Sequence, residues 1–326
     1  MVNGVRPSHA FAVGPECVRG VYPPPHCGRI GRSGRSGRIR HETAPNHKPD
    51  PVEPVTNPID VLFNRLKAEK RKAFMPFVTA GDPDLGFTQS LLRTVAANGA
   101  DLIEVGFPFS DPIADGPVIQ ASYTRALKNK LKLADLFRAV GEVTSAAGWT
   151  TPLVAMASYS LIFKRGAAEF LKRAKAAGFS GAVVPDLPAE EADDLAKHCR
   201  EAEFKLILLV SPTTAAHRID TIVKACSGFV YVVSLVGITG ERAAISPEIE
   251  ALLARLRKAT DLPLCVGFGV SQPIHVKMLR DHADGVIVGS ALVKELEKAT
   301  TPVERELVLA NVAAKVQVLS GALREG

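Results

Sequence analysis

Among its 326 residues the chain has few cysteines, one tryptophan and no long apolar run. The five cysteines are scattered, odd in number and form no CxxC pair, which argues against a disulfide framework or a zinc knuckle and fits a reducing compartment. No 18 consecutive residues are all apolar, so we predict no transmembrane helix. The composition, 46% hydrophobic and 23% charged, is that of a globular protein long enough for one barrel-sized domain or two smaller ones.

Outside the N-terminal segment the chain carries little net charge. Residues 1–58 hold eight basic and four acidic side chains, so they account for +4 of the formal net charge of +6. The rest of the chain carries only +2, which is too little for the electrostatic footprint of a nucleic-acid-binding surface.

The N-terminal segment is rich in arginine, proline and glycine, and residues 28–38 are of low complexity. It shows no apolar period of 2 or 3.6. We therefore predict a disordered basic extension over residues 1–56 and one folded domain over residues 57–326. The expected location is the cytoplasm, and plastid targeting by the Arg-rich extension is the alternative.

From Asn57-Pro58 onward, short apolar runs alternate with longer amphipathic stretches. Asn57 as N-cap and Pro58 as the first helical residue predict an extra helix before the first strand. The predicted strands are 74–79, 102–105, 153–156, 182–185, 206–210, 229–234, 264–267 and 285–288. The predicted helices are near 85–98, 118–147, 166–177, 189–202, 215–225, 246–259, 272–281, 290–299 and 302–322.

Eight strands, each followed by a helix, predict an α/β fold of the (β/α)8 TIM-barrel type. A doubly wound sheet is the alternative, but no Gly-x-Gly-x-x-Gly follows the first strand. The active site of such a barrel lies at the carboxyl ends of the strands. No histidine with a plausible partner lies at these ends, which argues against a zinc site or a histidine-based triad.

The second predicted strand carries a carboxyl group in an otherwise apolar run. Glu104 lies on the opposite face from Ile103 and Val105, which suit the surrounding helices, so we expect Glu104 to point into the barrel mouth. A carboxyl there is either hydrogen-bonded for structure or raised in pKa and used in catalysis. In the loop that follows, Asp115 can fold back toward Glu104, although turn capping is the alternative for Asp111 and Asp115.

Glycine turns follow the last two predicted strands. Residues 267–271 and 289–290 each place glycine and a hydroxyl at a helix N-terminus, where backbone N–H groups favour an anion. Because the corresponding loops of TIM barrels commonly hold a phosphate, we expect a small phosphorylated ligand. Serine is also a routine N-cap, which is the alternative interpretation.

Three aromatic residues, Phe77, Tyr231 and Phe268, lie near strand ends and suit a flat apolar ligand, with core packing as the alternative. After the sixth strand, Thr239 and Gly240 belong to a loop that is either mobile over the site or a plain surface loop.

Six segments carry a recognisable set of motifs: Pro76-Phe77-Val78-Thr79-Ala80-Gly81-Asp82-Pro83, Ile103-Glu104-Val105-Gly106, residues 107–120, Gly237-Ile238-Thr239-Gly240, Gly267-Phe268-Gly269-Val270-Ser271 and Gly289-Ser290-Ala291. Together they resemble the tryptophan synthase alpha chain family. The motifs stand in family order over about 57–322, and residues 107–120 are the most specific of them.

The resemblance implies a lyase of tryptophan biosynthesis that cleaves indole-3-glycerol phosphate to indole and glyceraldehyde 3-phosphate by a retro-aldol reaction. It implies that Glu104 is the general acid and base, that Asp115 stabilises the indole nitrogen as it becomes cationic, and that Thr239 helps to order Asp115. The implied phosphate-binding positions are Gly240, Gly269, Gly289 and Ser290. The implied indole-binding positions are Phe77, Tyr231 and Phe268.

The resemblance also implies a beta chain that carries pyridoxal phosphate, an alpha2-beta2 assembly, and contact through Pro108 and Asp111. This chain is expected to need no metal or cofactor of its own. A free-standing lyase without a beta partner and a non-catalytic barrel that only activates a partner are the alternatives.

The sequence departs from the family in two places. Ser158 and Ser160 stand where many members have Tyr and Asn, and Leu235-Val236 stands where some have a polar pair. We expect these differences to affect the shape of the pocket and the coupling to the partner rather than the chemistry.

Overall fold

The computed structural model describes residues 57–112, 115–234, 245–267 and 269–324, which belong to the unit Pro54–Gly326. The predicted extension 1–56 lies outside the described residues. Within the described residues the predicted barrel is confirmed, because all the strand pairs are parallel and form one sheet. The strands are β1 (Ala73–Thr79), β2 (Ile103–Gly106), β3 (Leu153–Met156), β4 (Phe179–Val183), β5 (Lys205–Ile207), β6 (Leu209–Val210), β7 (Val230–Val233), β8 (Leu264–Gly267) and β9 (Gly285–Val288).

One helix precedes the first strand, and the other helices follow the strands along the chain. They are α1 (Pro58–Ala68), α2 (Leu85–Ala97), α3 (Pro117–Lys128), α4 (Leu133–Thr144), α5 (Tyr159–Arg165), α6 (Ala167–Ala176), α7 (Asp193–Glu201), α8 (Ala216–Ala225), α9 (Pro247–Ala259), α10 (Pro273–Arg280), α11 (Ser290–Leu296) and α12 (Pro302–Arg324). A short 3-10 helix, Ala189–Glu191, precedes α7.

The fifth predicted strand divides at Leu208 into β5 and β6, and this division closes the barrel. β5 pairs with β4 and β6 pairs with β7, so two halves of one chain segment join the ends of the sheet. The backbone N–H of Tyr231 donates to the Leu208 carbonyl at 3.2 Å, and the N–H of Val184 donates to the Ile207 carbonyl at 3.2 Å. With β5 and β6 taken as one strand, the eight predicted βα units are present.

Side chains on each strand alternate between two apolar cores, as expected for a closed sheet. On β1, Phe74 and Val78 pack outward under the helices, while Met75 and Phe77 pack inside the barrel. The side chains of the inner core come from the strands and from α1, and close packing there restricts the position of each one.

The predicted extra helix is present as α1, and it closes the end of the barrel where the strands begin. Its side chains Ile59, Leu62 and Leu66 are buried in the inner core. Asn57 fixes the start of the helix, because its Oδ1 accepts from the Ile59 N–H at 2.9 Å and its Nδ2 donates to the carbonyls of Ser180 and Glu203, each at 2.9 Å. Capping and anchoring are thus performed by one side chain.

Two predictions of element bounds are wrong. The single helix predicted over 118–147 is two helices, because Lys130 adopts a left-handed backbone conformation with φ 53° after α3 has ended. The strand predicted over 182–185 lies at Phe179–Val183 instead. Ser180 and Gly181 interrupt its apolar run, but both are small and fit a buried parallel strand.

Three further helices differ from the prediction. The segment after β3 forms α5, which was not predicted, with Ser158 as its N-cap. The helix expected over 189–202 begins with the 3-10 turn and continues as α7, and the helix expected over 290–299 ends at Leu296.

In the described part of the chain, α12 is long and apolar enough to cross a membrane by length and composition alone. Its side chains Val308, Val312, Val316 and Leu319 are buried in the outer core, where α12 packs against α2 and α10. These contacts are those of a core helix of the barrel.

Candidate active site

Glu104 lies at the centre of β2 and points into the barrel. Its neighbours in register, Phe77 on β1 and Val154 on β3, both belong to the inner core. The side chain is 1% exposed, and among the described residues neither carboxyl oxygen has a hydrogen-bond partner. Burial raises the pKa of Glu104 from 4.5 to about 8, and the nearby charge of Asp115 adds to the effect. The carboxyl group is therefore mostly protonated at neutral pH.

Asp115 comes directly before α3, where Gly116 is the N-cap and Pro117 is the first helical residue. Its backbone is held by two contacts: its N–H donates to the Pro112 carbonyl at 3.1 Å, and its carbonyl accepts from Gln120 Nε2 at 2.7 Å. Burial raises the pKa of Asp115 to about 6, so this carboxyl is mostly ionised at neutral pH. Two carboxyl groups with different pKa values thus face one space, an arrangement that suits separate acid and anion roles.

Helix α3, which carries Asp115 at its start, is fixed to the first strand by buried polar contacts. Arg125 donates to both carboxylate oxygens of Asp82, at 2.9 and 2.7 Å, and the Asp82 side chain is fully buried. Closer to the mouth, the hydroxyls of Thr79 and Ser122 lie 2.7 Å apart. Such bidentate and buried contacts hold the helix in one register on β1.

A cavity of about 540 Å³ separates these carboxyl groups from the last two strands. Its lining is mostly apolar, with a few polar groups at the two ends: Phe77, Glu104, Asp115, Gly116, Ile119, Met156, Tyr231, Gly269, Val270, Ile287, Gly289 and Ser290.

The end of the cavity opposite Glu104 consists of glycine turns. Gly269 and Val270 follow β8, and Gly289 and Ser290 follow β9 and begin α11. Backbone N–H groups in the first turn of a helix lack an intrahelical acceptor, so Ser290 presents a free donor by its position. His275 supports the first turn, because its Nδ1 accepts from the Ser271 N–H at 3.3 Å. This end of the cavity suits an anion.

Two aromatic side chains form the wall between the ends of the cavity, and each rests on a glycine. A Cβ placed on Gly106 would lie 2.4 Å from Cζ of Phe77, and one placed on Gly267 would lie 2.4 Å from the hydroxyl of Tyr231. Both strands therefore need glycine at these positions to admit the rings. Of the three aromatic residues expected near the strand ends, Phe77 and Tyr231 line the cavity.

A second, larger cavity of about 1200 Å³ adjoins the first, and Asp115 lines both. Pro108 and Asp111 lie on its wall, as do Ser158 and Ser160. The two serines face Asp186 at the end of β4. The Ser158 hydroxyl donates to one Asp186 carboxylate oxygen at 2.6 Å, and the Tyr159 N–H donates to the other at 2.7 Å.

Several predicted site residues, Thr239, Gly240 and Phe268, lie outside the described residues, as do Leu235 and Val236. Sequence reasoning missed the apolar lining at Ile119, Met156 and Ile287, which looks like ordinary core sequence. It also missed His275, whose position three residues after the N-cap of α10 is a usable signal, since side chains there reach back to the preceding turn. Among the described residues, no group of three His, Cys, Asp or Glu side chains is placed to hold a metal ion.

Residues 63–323 match the family model of the tryptophan synthase alpha chain. The tryptophan synthase alpha chain of Rippkaea orientalis is 46% identical over 264 residues, which cover 81% of this chain and 97% of the relative. The tryptophan synthase alpha chain of Synechocystis sp. is 48% identical over 245 residues, which cover 75% of this chain and 92% of the relative.

The similarity extends to solved structures. The crystal structure of tryptophan synthase subunit alpha from Legionella pneumophila aligns with a TM-score of 0.74 at 34% identity, covering 82% of this chain and 99% of that one. The matched region includes the whole barrel, and the cavity described above lies within it.

Proposed function

The chain belongs to the tryptophan synthase alpha chain family, and from this premise we propose how its residues divide the work of the family's reaction. The activity is that of the alpha subunit: a lyase of L-tryptophan biosynthesis that cleaves indole-3-glycerol phosphate to indole and glyceraldehyde 3-phosphate. The resident residues must therefore protonate an aromatic carbon, accept a proton from a hydroxyl and stabilise a transient positive charge.

Glu104 performs both proton transfers in this proposal. A carbanion at indole C3 is too unstable to leave, so C3 must be protonated before the bond to the side chain breaks. With its pKa raised to about 8, Glu104 is a neutral acid at pH 7 and can give its proton to C3. The resulting carboxylate then takes the proton of the side-chain hydroxyl next to the breaking bond. The bonding electrons return to the ring, and an aldehyde is left.

Asp115 and the glycine turns serve the two ends of the substrate. Protonation of C3 places a positive charge on the ring nitrogen, and the ionised Asp115 across the cavity stabilises that charge. The phosphate occupies the turns at Gly269, Gly289 and Ser290, while Phe77 and Tyr231 enclose the indole ring. By the same resemblance, Thr239 and Gly240 belong to a loop over the site, and Phe268 to the indole wall.

The alpha chain family works with a beta chain, to which indole passes. We extend this to an alpha2-beta2 assembly in which Pro108 and Asp111 contact the partner and pyridoxal phosphate is bound by the beta chain alone. The large cavity beside Asp115 supports this placement, because Asp115 lines both cavities and the larger one is also lined by Pro108 and Asp111. The expected location is the cytoplasm.

The observation that carries the proposal is the buried, unpartnered Glu104 in a cavity with an anion-binding end. Indole release from indole-3-glycerol phosphate, measured with and without a beta chain, tests it. We expect release by the chain alone and faster release with the beta chain. Release that is unaffected by a beta chain indicates a free-standing lyase, and no release in either condition indicates a non-catalytic barrel.

A further inference from the structure

Tyr123 on α3 is the second buried side chain near the site whose polar atom has no hydrogen-bond partner in the described structure. The residue is 1% exposed, and its hydroxyl is fully enclosed. Buried hydroxyls without a partner are rare in proteins because they lose the hydrogen bonds that water would make. A phenol and a carboxyl, Tyr123 and Glu104, therefore remain unpaired in one region of the barrel.

Gly106 fixes where the Tyr123 hydroxyl lies. A Cβ on Gly106 would approach the Tyr123 oxygen to 2.7 Å, so the hydroxyl sits directly over the inward face of β2. Glu104 is two residues earlier on the same face, a separation of about 6.6 Å along the strand. The flexible glutamate side chain can span much of that gap. The phenol thus lies over the inward position of β2 that follows that of Glu104 toward the mouth.

Tyr123 does not line the cavity, whereas Glu104 and Tyr231 do. The ring of Tyr123 instead packs against Phe109 at 5.8 Å between centroids. The enclosed Tyr123 hydroxyl has no direct access to a substrate in the cavity. Any effect of Tyr123 on the reaction must therefore act through a side chain that lines the cavity. Glu104 offers two free acceptor oxygens and is the nearest such group along the strand.

We propose that Tyr123 is a positioning residue for Glu104: its hydroxyl donates a hydrogen bond to the carboxylate that forms when Glu104 gives its proton to the substrate. The inference rests on the proposed function, in which Glu104 alternates between acid and base. A donor that waits for the ionised form stabilises the charge at the moment it appears.

The other groups that interact electrostatically with Glu104 come from three elements. They are Asp115 before α3, Tyr231 on β7 and Cys265 on β8. An ionised Asp115 cannot donate a hydrogen bond, and a thiol is a weak donor. Tyr231 lines the cavity and belongs to the substrate wall. Tyr123 is therefore the phenol available to Glu104 when substrate fills the cavity.

The test compares Tyr123→Phe with wild type in two measurements. In protein labelled with ¹³C-glutamate, the Glu104 carboxyl carbon is assigned by its loss in Glu104→Gln and titrated by NMR. We expect Tyr123→Phe to raise the Glu104 pKa by about one unit, because a hydrogen bond to the charged form is lost. In steady-state cleavage we expect kcat to fall about tenfold with KM within twofold.

Tyr159→Phe is the matched control, since it removes the same hydroxyl from α5, where the ring packs against Phe163. We expect it to change neither the pKa nor kcat. The thermal unfolding temperature of Tyr123→Phe should equal or exceed that of wild type, because the hydroxyl has no partner to lose in the resting protein.

An unchanged Glu104 pKa in Tyr123→Phe overturns the inference, and so does a rise in KM at constant kcat, which indicates direct contact with substrate. The titration does not depend on turnover. If the pKa rises in the variant while wild type releases no indole, the positioning role stands and the proposed function fails.

Discussion

The two ends of the barrel differ in whether their buried polar groups are hydrogen-bonded. At the end where the strands begin, α1 fills the core and polar groups are paired: Asn57 makes three hydrogen bonds, and Asp101 accepts from the Phe74 N–H at 2.9 Å and from Arg71 at 3.3 Å. At the end where the strands finish, the side chains of Glu104 and Tyr123 are buried and have no hydrogen-bond partner within the part of the chain that the structure describes. Stability and reactivity are thus assigned to different ends of one sheet.

The unpaired groups at the mouth lower the stability of the fold, since burying a carboxyl without a hydrogen bond is unfavourable. The same burial raises the pKa of Glu104 into the range needed for acid and base work near neutral pH. Substitutions at each end test this difference. One kind removes a reactive group at the mouth, and the other removes an anchoring group at the end where the strands begin.

The largest effect is expected from Glu104→Gln, which keeps the shape of the side chain and removes its proton transfer. Indole release should fall by about 10³-fold or more, because the proposal assigns both proton transfers to Glu104. Titration calorimetry with indole-3-glycerol phosphate should show binding retained, since the anion end is untouched. A variant that cleaves at a rate near that of wild type would remove Glu104 from its role.

The same substitution should change how stability depends on pH. The folded pKa of Glu104, about 8, lies above its ordinary value of 4.5, so the folded chain retains a proton that the unfolded chain releases. Wild type should therefore lose stability as pH rises from 4.5 to 8, by about 4 kcal/mol. Denaturant unfolding of Glu104→Gln should lack this loss. Parallel pH profiles for the two proteins would show that Glu104 does not titrate in this window.

Asp115→Asn should reduce kcat by about 100-fold, because an amide cannot stabilise the positive charge on the ring nitrogen as a carboxylate does. Since the pKa of Asp115 is raised to about 6, wild-type activity should also decline as pH falls through 6 and the carboxylate is protonated. That decline should be absent in the variant, which a pH profile of kcat measures. Persistence of the same acid limb in Asp115→Asn would assign it to another group.

The smallest effect on catalysis is expected at the other end. Asn57→Ala removes the N-cap of α1 and its two anchoring hydrogen bonds, and should lower the free energy of unfolding by about 2 kcal/mol. Its kcat at 25 °C should stay within twofold of wild type, because the cavity is at the opposite end. Loss of activity without loss of stability would show that the two ends are not independent.

The sequence predicted the fold well because its strands are short apolar runs bounded by clear breaks. The strands 153–156, 264–267 and 285–288 match β3, β8 and β9. The predictions failed where backbone conformation decides, as at Lys130, which lies between α3 and α4 in a left-handed conformation that lysine rarely adopts. They also failed at α5, because a helix of seven residues gives too few turns for a clear period.

The polar part of the site was predictable and the apolar part was not. Glu104 stands out because a carboxyl group interrupts a buried strand, and Asp115 because it is an acid in the loop that follows this strand. Met156 and Ile287 give no such signal, since they are chemically the same whether they line a cavity or fill a core. Tyr123 lies on a helix, so reading the strand ends could not reveal it.

Proton transfer to carbon at the mouth is the central claim, and hydrogen exchange at indole C3 measures it most directly. Indole and inorganic phosphate are incubated with the protein in D₂O, and loss of the C3 proton signal is followed by NMR. We expect wild type and Asn57→Ala to accelerate the exchange equally, and Glu104→Gln to leave it at the rate without protein. Exchange by Glu104→Gln at the wild-type rate would contradict the account.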